Sequence, residues 1–330
     1  MPVENVIIVG GGPAAYTASL YLARAGLDPL CIEGYAAGGQ LLTTTTVDNF
    51  PGFPEGIAGP DLVTQMRDQA ERLSTRFLME DAMTLDVSSR PFTVTTPTAT
   101  FQAHSIILAT GATAKTLGLP SEEALQNRGV AYCAVCDGPL FAGQRIGVVG
   151  GGDAALTEAM CLAPYASEVL VIHRRREFRA ARIMVEQAGR YENLSFLVPW
   201  VVERVLGEEA ARLSGVLLRN TETGEERVED LGALFVSIGH HPNTSLVAGQ
   251  VDCDEHGYVI VEPGRTGTSV PGVFAAGDVQ DHVFRQPITS AGSGCMAALE
   301  AQRWLAQGRP TGARRPAAQR GERIGERVSG

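Results

Sequence analysis

The chain has 330 residues, 44% of them apolar, which is enough for two ordinary cores and excludes disorder as its general state. A formal charge of −10 argues against a generic nucleic-acid or anionic-membrane surface, because both demand a basic patch, and leaves small molecules and protein partners. Glycine is over-represented, 38 residues or ~12% against an ordinary ~7%, so the excess needs a local cause.

Asn5 to Ala23 carry no charge, but Gly10-Gly11-Gly12-Pro13 interrupts them and no Lys or Arg precedes them. That pattern fits neither a signal peptide nor a spanning helix, and the cytoplasm is the expected compartment. The apolar strand Val6 to Val9 runs into Gly10-x-Gly12-Pro13-Ala14-Ala15, then a helix from Tyr16 to Ala25 and a second strand, Leu30 to Ile32. In such a G-x-G-x-x-A loop the first Gly permits the turn and the second lets a pyrophosphate approach the backbone. The small third residue lets helix and strand pack, with the helix N-terminus facing the phosphates.

The pattern returns 140 residues later. Ile146 to Val149 lead into Gly150-x-Gly152-Asp153-Ala154-Ala155, a helix over Leu156 to Leu162 and a strand over Val169 to Ile172. Two complete βαβ patterns point to two nucleotide sites. Counting 23 residues from each first Gly gives Glu33 in one copy and His173 in the other, followed by Arg174-Arg175-Arg176. A carboxylate there accepts hydrogen bonds from a ribose 2′-hydroxyl, whereas guanidinium groups suit a 2′-phosphate. The first site therefore wants FAD or NAD and the second NADPH; the plainer reading of the arginine run is a solvated helix start. Later strands, Ser105 to Gly111 and Leu234 to Gly239, are each followed by a polar, Gly/Pro-marked segment, Ala112 to Pro120 and His240 to Asn243, expected as the crossings between domains.

Cys133-Ala-Val-Cys136-Asp137 precedes the second module's first strand. Two sulfurs at this spacing can bridge, and a helix N-terminus would favour a thiolate, so the pair can cycle. Zinc would need two more ligands, and Cys161, Cys253, Cys295, His240 and His241 are scattered, so no metal is expected; two idle thiols remain the plain alternative. Asp137 is either the proton carrier of exchange or a helix cap. Hydride from a nicotinamide carries two electrons and a disulfide accepts two. Nicotinamide does not ordinarily reduce a disulfide directly, so a flavin is the natural mediator and the first site should hold FAD. From Gly308 on there are six Arg and two Glu, a basic tail that reads as a solvated end or a partner-binding arm.

From about Val3 to Ala306 the chain resembles the low-molecular-weight NADPH-dependent thioredoxin reductases. The similar stretches are Gly38-Gly39-Gln40-Leu41, Asn49 to Gly52, Ala109-Thr110-Gly111, Cys133 to Gly138, Gly150 to Ala155, His173-Arg174-Arg175 with Arg179, Phe274 to Asp278, Arg285-Gln286-Pro287-Ile288 and Gly294 to Leu299. The resemblance implies an α/β fold of two Rossmann-like nucleotide-binding domains, the second inserted into the first. Residues 1–114 and 245–330 would bind FAD, and 115–244 would bind NADPH and carry the disulfide. Gly38 to Gln40 and Asn49 would line the flavin; Gly277-Asp278 would hold the ribitol chain; Gln286 and Ile288 would lie near the ring. Cys136 would face the flavin and Cys133 attack the partner, thioredoxin or a similar small dithiol protein, with Asp137 as acid and base. The resemblance further implies a homodimer whose inserted domain rotates about its two crossings. Ala15, Thr157, Arg176 and Pro287 depart from the family pattern. Thr157 and Arg176 leave open another nucleotide in the second pocket, a second flavin included, or electrons flowing from dithiol to flavin.

Overall fold

The computed structural model describes residues 2–308, so the basic tail beyond Gly308 lies outside the described residues. The described residues divide into two units: one holds 2–42, Pro60–Ala112 and 242–308, the other Thr43–Gly59 and Thr113–His241.

In the first unit β1 (Glu4–Val9) leads through α1 (Pro13–Arg24) to β2 (Leu30–Ile32). Helix α2 (Gly59–Arg72) precedes β3 (Arg76–Leu78), which pairs with β2, and β4 (Thr84–Asp86) and β5 (Phe92–Thr95) lead to β6 (Thr100–Leu108). β1 lies between β2 and β6 in parallel register, Val9 opposite Ile32 and Leu108. Because side chains alternate along a strand, Ile7 and Val9 enter one core while Val6 and Ile8 enter the core under α1. A sheet covered on both faces needs near-continuous apolar strands, and these supply them.

The second unit repeats the plan. It comprises β7 (Val130–Ala131), α3 (Ala134–Asp137), β8 (Arg145–Val149), α4 (Asp153–Leu162), β9 (Glu168–Ile172), β10 (Leu194–Leu197), an antiparallel trio β11 (Trp200–Leu206), β12 (Gly215–Asn220) and β13 (Glu226–Asp230), and β14 (Ala233–Val236). The parallel sheet runs β7-β14-β8-β9-β10. Its one face packs on α4 through Ile146, Val148 and Val171, and the other packs on the trio through Leu170, Ile172 and Val236.

The chain changes unit where Ala112–Ala114 pairs with His240–Pro242. On one side Asn243 N donates to Gly111 O at 2.9 Å, and on the other Lys115 N donates to Gly239 O at 3.0 Å. Thr43–Gly59, expected with the first domain, groups instead with the second unit and holds its own short antiparallel pair, Thr46–Val47 with Ile57–Ala58. Back in the first unit, β15 (Val273–Ala275) pairs with β6, and α5 (Pro287–Ala306) lies on α1. The helices meet closely at Gly294, whose added Cβ would stand 2.2 Å from Ala14 O.

Candidate active site

Cys133 and Cys136 are joined in a disulfide, with Cα atoms 5.3 Å apart. Extended backbone at Cys133 caps the short α3, and its Sγ accepts a hydrogen bond from Cys136 N at 3.2 Å. A donor aimed at a sulfur stabilises the thiolate that appears when the bond opens. Asp137 ends α3 and makes no side-chain cap, which removes the capping explanation. Burial pushes its carboxyl up to about 6, so near neutrality it can hold or release a proton. Cys31 is fully buried, and burial pushes its thiol up to about 12; Cys161 and Cys253 are also raised by burial, which fits inert packing. Among the described residues no group of three or more His, Cys, Asp or Glu is placed to hold a metal ion.

The second loop caps α4 at Gly152 with no side-chain cap, leaving first-turn amides of the helix open. Gly152 has φ −103°, and an added Cβ would find nothing nearer than Arg179 Nη2 at 3.6 Å. Neither packing nor backbone demands glycine here, whereas close approach by a phosphate would. Gly150 is different: its Cβ would meet Ala155 Cβ and Ser237 O, both at 2.5 Å, so strand, loop and helix need it bare. Arg179 is drawn to the loop by its backbone, N donating to Gly151 O at 2.8 Å, and Asp153 Oδ1 accepts from Ala181 N at 2.7 Å. Ala154 and Ala155 fill the first turn of α4.

His173 is buried at the end of β9, its ring stacked on Phe178 at 5.2 Å. Burial, then the charges of Arg174, Arg175 and Arg179, hold the imidazole below its ordinary pKa, and Gly151 packs against the ring. Arg174 and Arg175 are exposed and form no ion pair among the described residues, which leaves their charge for a ligand. They line an open cleft of about 360 Å³ together with Thr221 and Glu222.

In the first unit, Gly12 caps α1 without a side-chain cap, has φ −126°, and its added Cβ would meet nothing within 4 Å. With no acid in the first turn, the positive end of α1 is open to an anion, and Pro13, Ala14 and Ala15 keep that turn small. Gly38 N donates to Gly11 O, tying Gly38-Gly39-Gln40-Leu41 to this loop, while Gln40 Nε2 donates to Ala112 O at 2.8 Å. Ala109 O lies against Gly10, and Thr110 Oγ1 donates to Asn243 O at 2.7 Å. Gly277, at φ +76°, would place a Cβ 2.9 Å from Ala14 Cβ, which sets Asp278 beside the same helix start. Burial raises Asp278 to about 6, and it accepts from Ser290 Oγ at 2.9 Å. Gln286 caps α5 in a reciprocal box with Thr289; Ile288 is exposed in the first turn. Pro287 stands at the first helical position, where its missing N–H costs nothing, so it opens the helix rather than interrupting it. Arg285 takes φ +49° to make that entry.

Thus Gly10 to Ala15, Gly38 to Leu41, Ala109 to Gly111 and Gly277-Asp278 converge on one helix start. Asn49 lies in the stretch that groups with the other unit. Sequence reasoning missed the partners of Glu33. Its buried carboxylate receives Arg67 Nε at 3.0 Å and Nη2 at 3.1 Å, and Tyr16 Oη at 3.3 Å. Arg67 itself lies 4.4 Å from the centroid of the Phe77 ring. The carboxylate expected for the ribose is thus already charge-paired, and few of its lone pairs remain. No local signal reveals Arg67, 34 residues away.

Comparison with known proteins agrees with this geometry. A family profile described as pyridine nucleotide-disulphide oxidoreductase matches residues 4–303. The chain is 51% identical over 305 residues to a thioredoxin reductase of Mycolicibacterium smegmatis, covering 92% of this chain and 97% of that one. It is also 51% identical over 309 residues to NADPH-dependent thioredoxin reductase 3 of Arabidopsis thaliana; that alignment covers 92% of this chain and 58% of the plant protein, so the chain spans little more than half its length. The solved thioredoxin reductase of Giardia duodenalis superposes with a TM-score of 0.88 at 39% identity, covering 93% of this chain and all of that one. The chain belongs to the pyridine nucleotide-disulphide oxidoreductase family, among its thioredoxin reductases.

Proposed function

We propose that this chain uses NADPH at the Gly150 loop and FAD at the Gly10 loop to reduce thioredoxin, or a similar small dithiol protein, through Cys133 and Cys136. The observation that carries the reading is the coexistence of two open helix starts with a bonded C-x-x-C pair. The assignment of the first unit to FAD, of the second to NADPH, and of the named loop residues to those ligands is part of the same reading. Arg174, Arg175 and Arg179 would take the 2′-phosphate and pyrophosphate ends of the nucleotide, and Asp278 the polyol chain of the flavin. Gln286 and Ile288 would meet the ring.

FAD, when bound, supplies the two-electron exchange between nicotinamide and disulfide. The Cys133–Cys136 bond takes up two electrons and two protons and opens to two thiols. Cys133, as thiolate, attacks the partner's disulfide, forming a mixed disulfide and releasing one partner sulfur. Cys136 then attacks Cys133 Sγ, restoring the chain's disulfide and freeing the second. Asp137 takes the proton from the attacking thiol and returns it to the leaving one. We place the enzyme in the cytoplasm, the compartment its sequence pattern leads one to expect, and as a homodimer, as the family resemblance implies; no helix among the described residues is long and apolar enough to cross a membrane.

The test is sustained, thioredoxin-dependent oxidation of NADPH by the purified protein; a single turnover without recycling would mark a redox sensor instead. In the same assay Asp137→Asn should lower turnover by roughly 10²-fold and erase an acid-side limb near pH 6. Linkage gives a second readout. The folded carboxyl is raised, so its contribution to stability is full below pH ~4 and is lost as pH rises through about 6. The Asn variant should therefore gain stability relative to the parent across that window and be the more stable at pH 8.

A further inference from the structure

The arginine run after β9 contains two kinds of side chain. Arg174 and Arg175 are without carboxylate partners among the described residues, but Arg176 Nε donates to Glu222 Oε1 at 2.7 Å and Oε2 at 3.1 Å. Glu222 is held in place: its N donates to Asn220 Oδ1 at 2.9 Å, and the neighbouring Thr221 Oγ1 donates to Arg174 O at 3.1 Å, fastening the turn to the arginine run. With Glu177, these residues give the cleft three cations and two carboxylates, a surplus of one positive charge. The pair is exposed, 73% at Arg176 and 45% at Glu222, so it adds little to folding and its consequence falls on whatever enters the cleft.

We propose that Arg176 is a specificity-determining residue that acts through Glu222: by neutralising that carboxylate it lets Arg174 and Arg175 select a nucleotide bearing a 2′-phosphate. A phosphate monoester carries about −1.5 to −2 charges near neutrality, so an unmasked carboxylate on the cleft wall opposes it directly. Without Arg176 the surplus charge vanishes; without both partners it returns. A nucleotide with a plain 2′-hydroxyl presents no such charge there and is nearly indifferent. The inference rests on the reading that the second loop takes NADPH.

The experiment is calorimetric titration of the purified flavoprotein with NADP⁺ and NAD⁺ for the parent, Arg176→Ala, Glu222→Ala and the double variant. Arg176→Ala should weaken NADP⁺ about three- to tenfold, less at high salt, and NAD⁺ by no more than about twofold. Glu222→Ala should tighten NADP⁺, and the double variant should return to within about twofold of the parent. An unchanged NADP⁺-to-NAD⁺ ratio in Arg176→Ala overturns the proposal. So does a double variant as weak as the single, because Arg176 would then touch the phosphate itself. A parent protein that binds NADP⁺ no tighter than NAD⁺ overturns the NADPH reading, and the proposal with it.

Discussion

Cys136→Ser and Cys133→Ser should each lower thioredoxin reduction by roughly 10³-fold or more, while NADPH still bleaches the visible flavin absorbance. A serine hydroxyl can neither accept the electron pair nor form a mixed disulfide, so the relay is cut after the flavin. Cys31, Cys161 and Cys253 are not suited to substitute: Cys31 is fully buried with its thiol pushed up to about 12, and burial raises Cys161 and Cys253 as well. The two variants should differ in detail. Cys136→Ser keeps the attacking Cys133 and should trap a mixed disulfide with the partner, whereas Cys133→Ser should trap none. Undiminished turnover in either would favour a flavin–NADP reductase that uses the same paired units without a dithiol.

Gly10→Ala should destabilise the first unit by roughly 2–4 kcal/mol and yield protein largely free of flavin. Gly10 sits at φ +131°, and an added Cβ would lie 2.1 Å from Ala109 O, a backbone atom that cannot swing aside. That carbonyl belongs to the residue whose N donates to Val9 O at 2.8 Å, so relief of the clash must part β1 from β6. Gly12→Ala provides the contrast. Its Cβ meets nothing in the protein and its φ suits any residue, so the unfolding temperature should stay near the parent's while FAD affinity falls. Thermal unfolding and the ratio of flavin to protein absorbance separate the two effects. Equal loss of stability in both would mean that the second glycine of the loop serves packing and not a phosphate.

Much of this site was legible in the sequence because its determinants are local. A strand, a small-residue loop and a helix start lie within a dozen residues, so both nucleotide loops and both first-pair strands fall where periodicity and glycine spacing put them. The three-residue separation of Cys133 and Cys136 likewise fixes their proximity. The pairings of Glu33 with Arg67 and of Arg176 with Glu222 were not legible, since they join residues 34 and 46 positions apart through tertiary packing. The antiparallel trio β11–β13 carries no G-x-G loop, only single turn glycines at Gly207 and Gly224, and so has no comparable local signal.

The most direct measurement is an oxygen-free titration of the purified protein with NADPH, following the visible flavin band and the thiols together. The relay requires the band to bleach and Cys133 and Cys136 to appear as free thiols, with both changes reversed by oxidised thioredoxin. Colourless protein, or bleaching that leaves the Cys133–Cys136 bond intact, would contradict it.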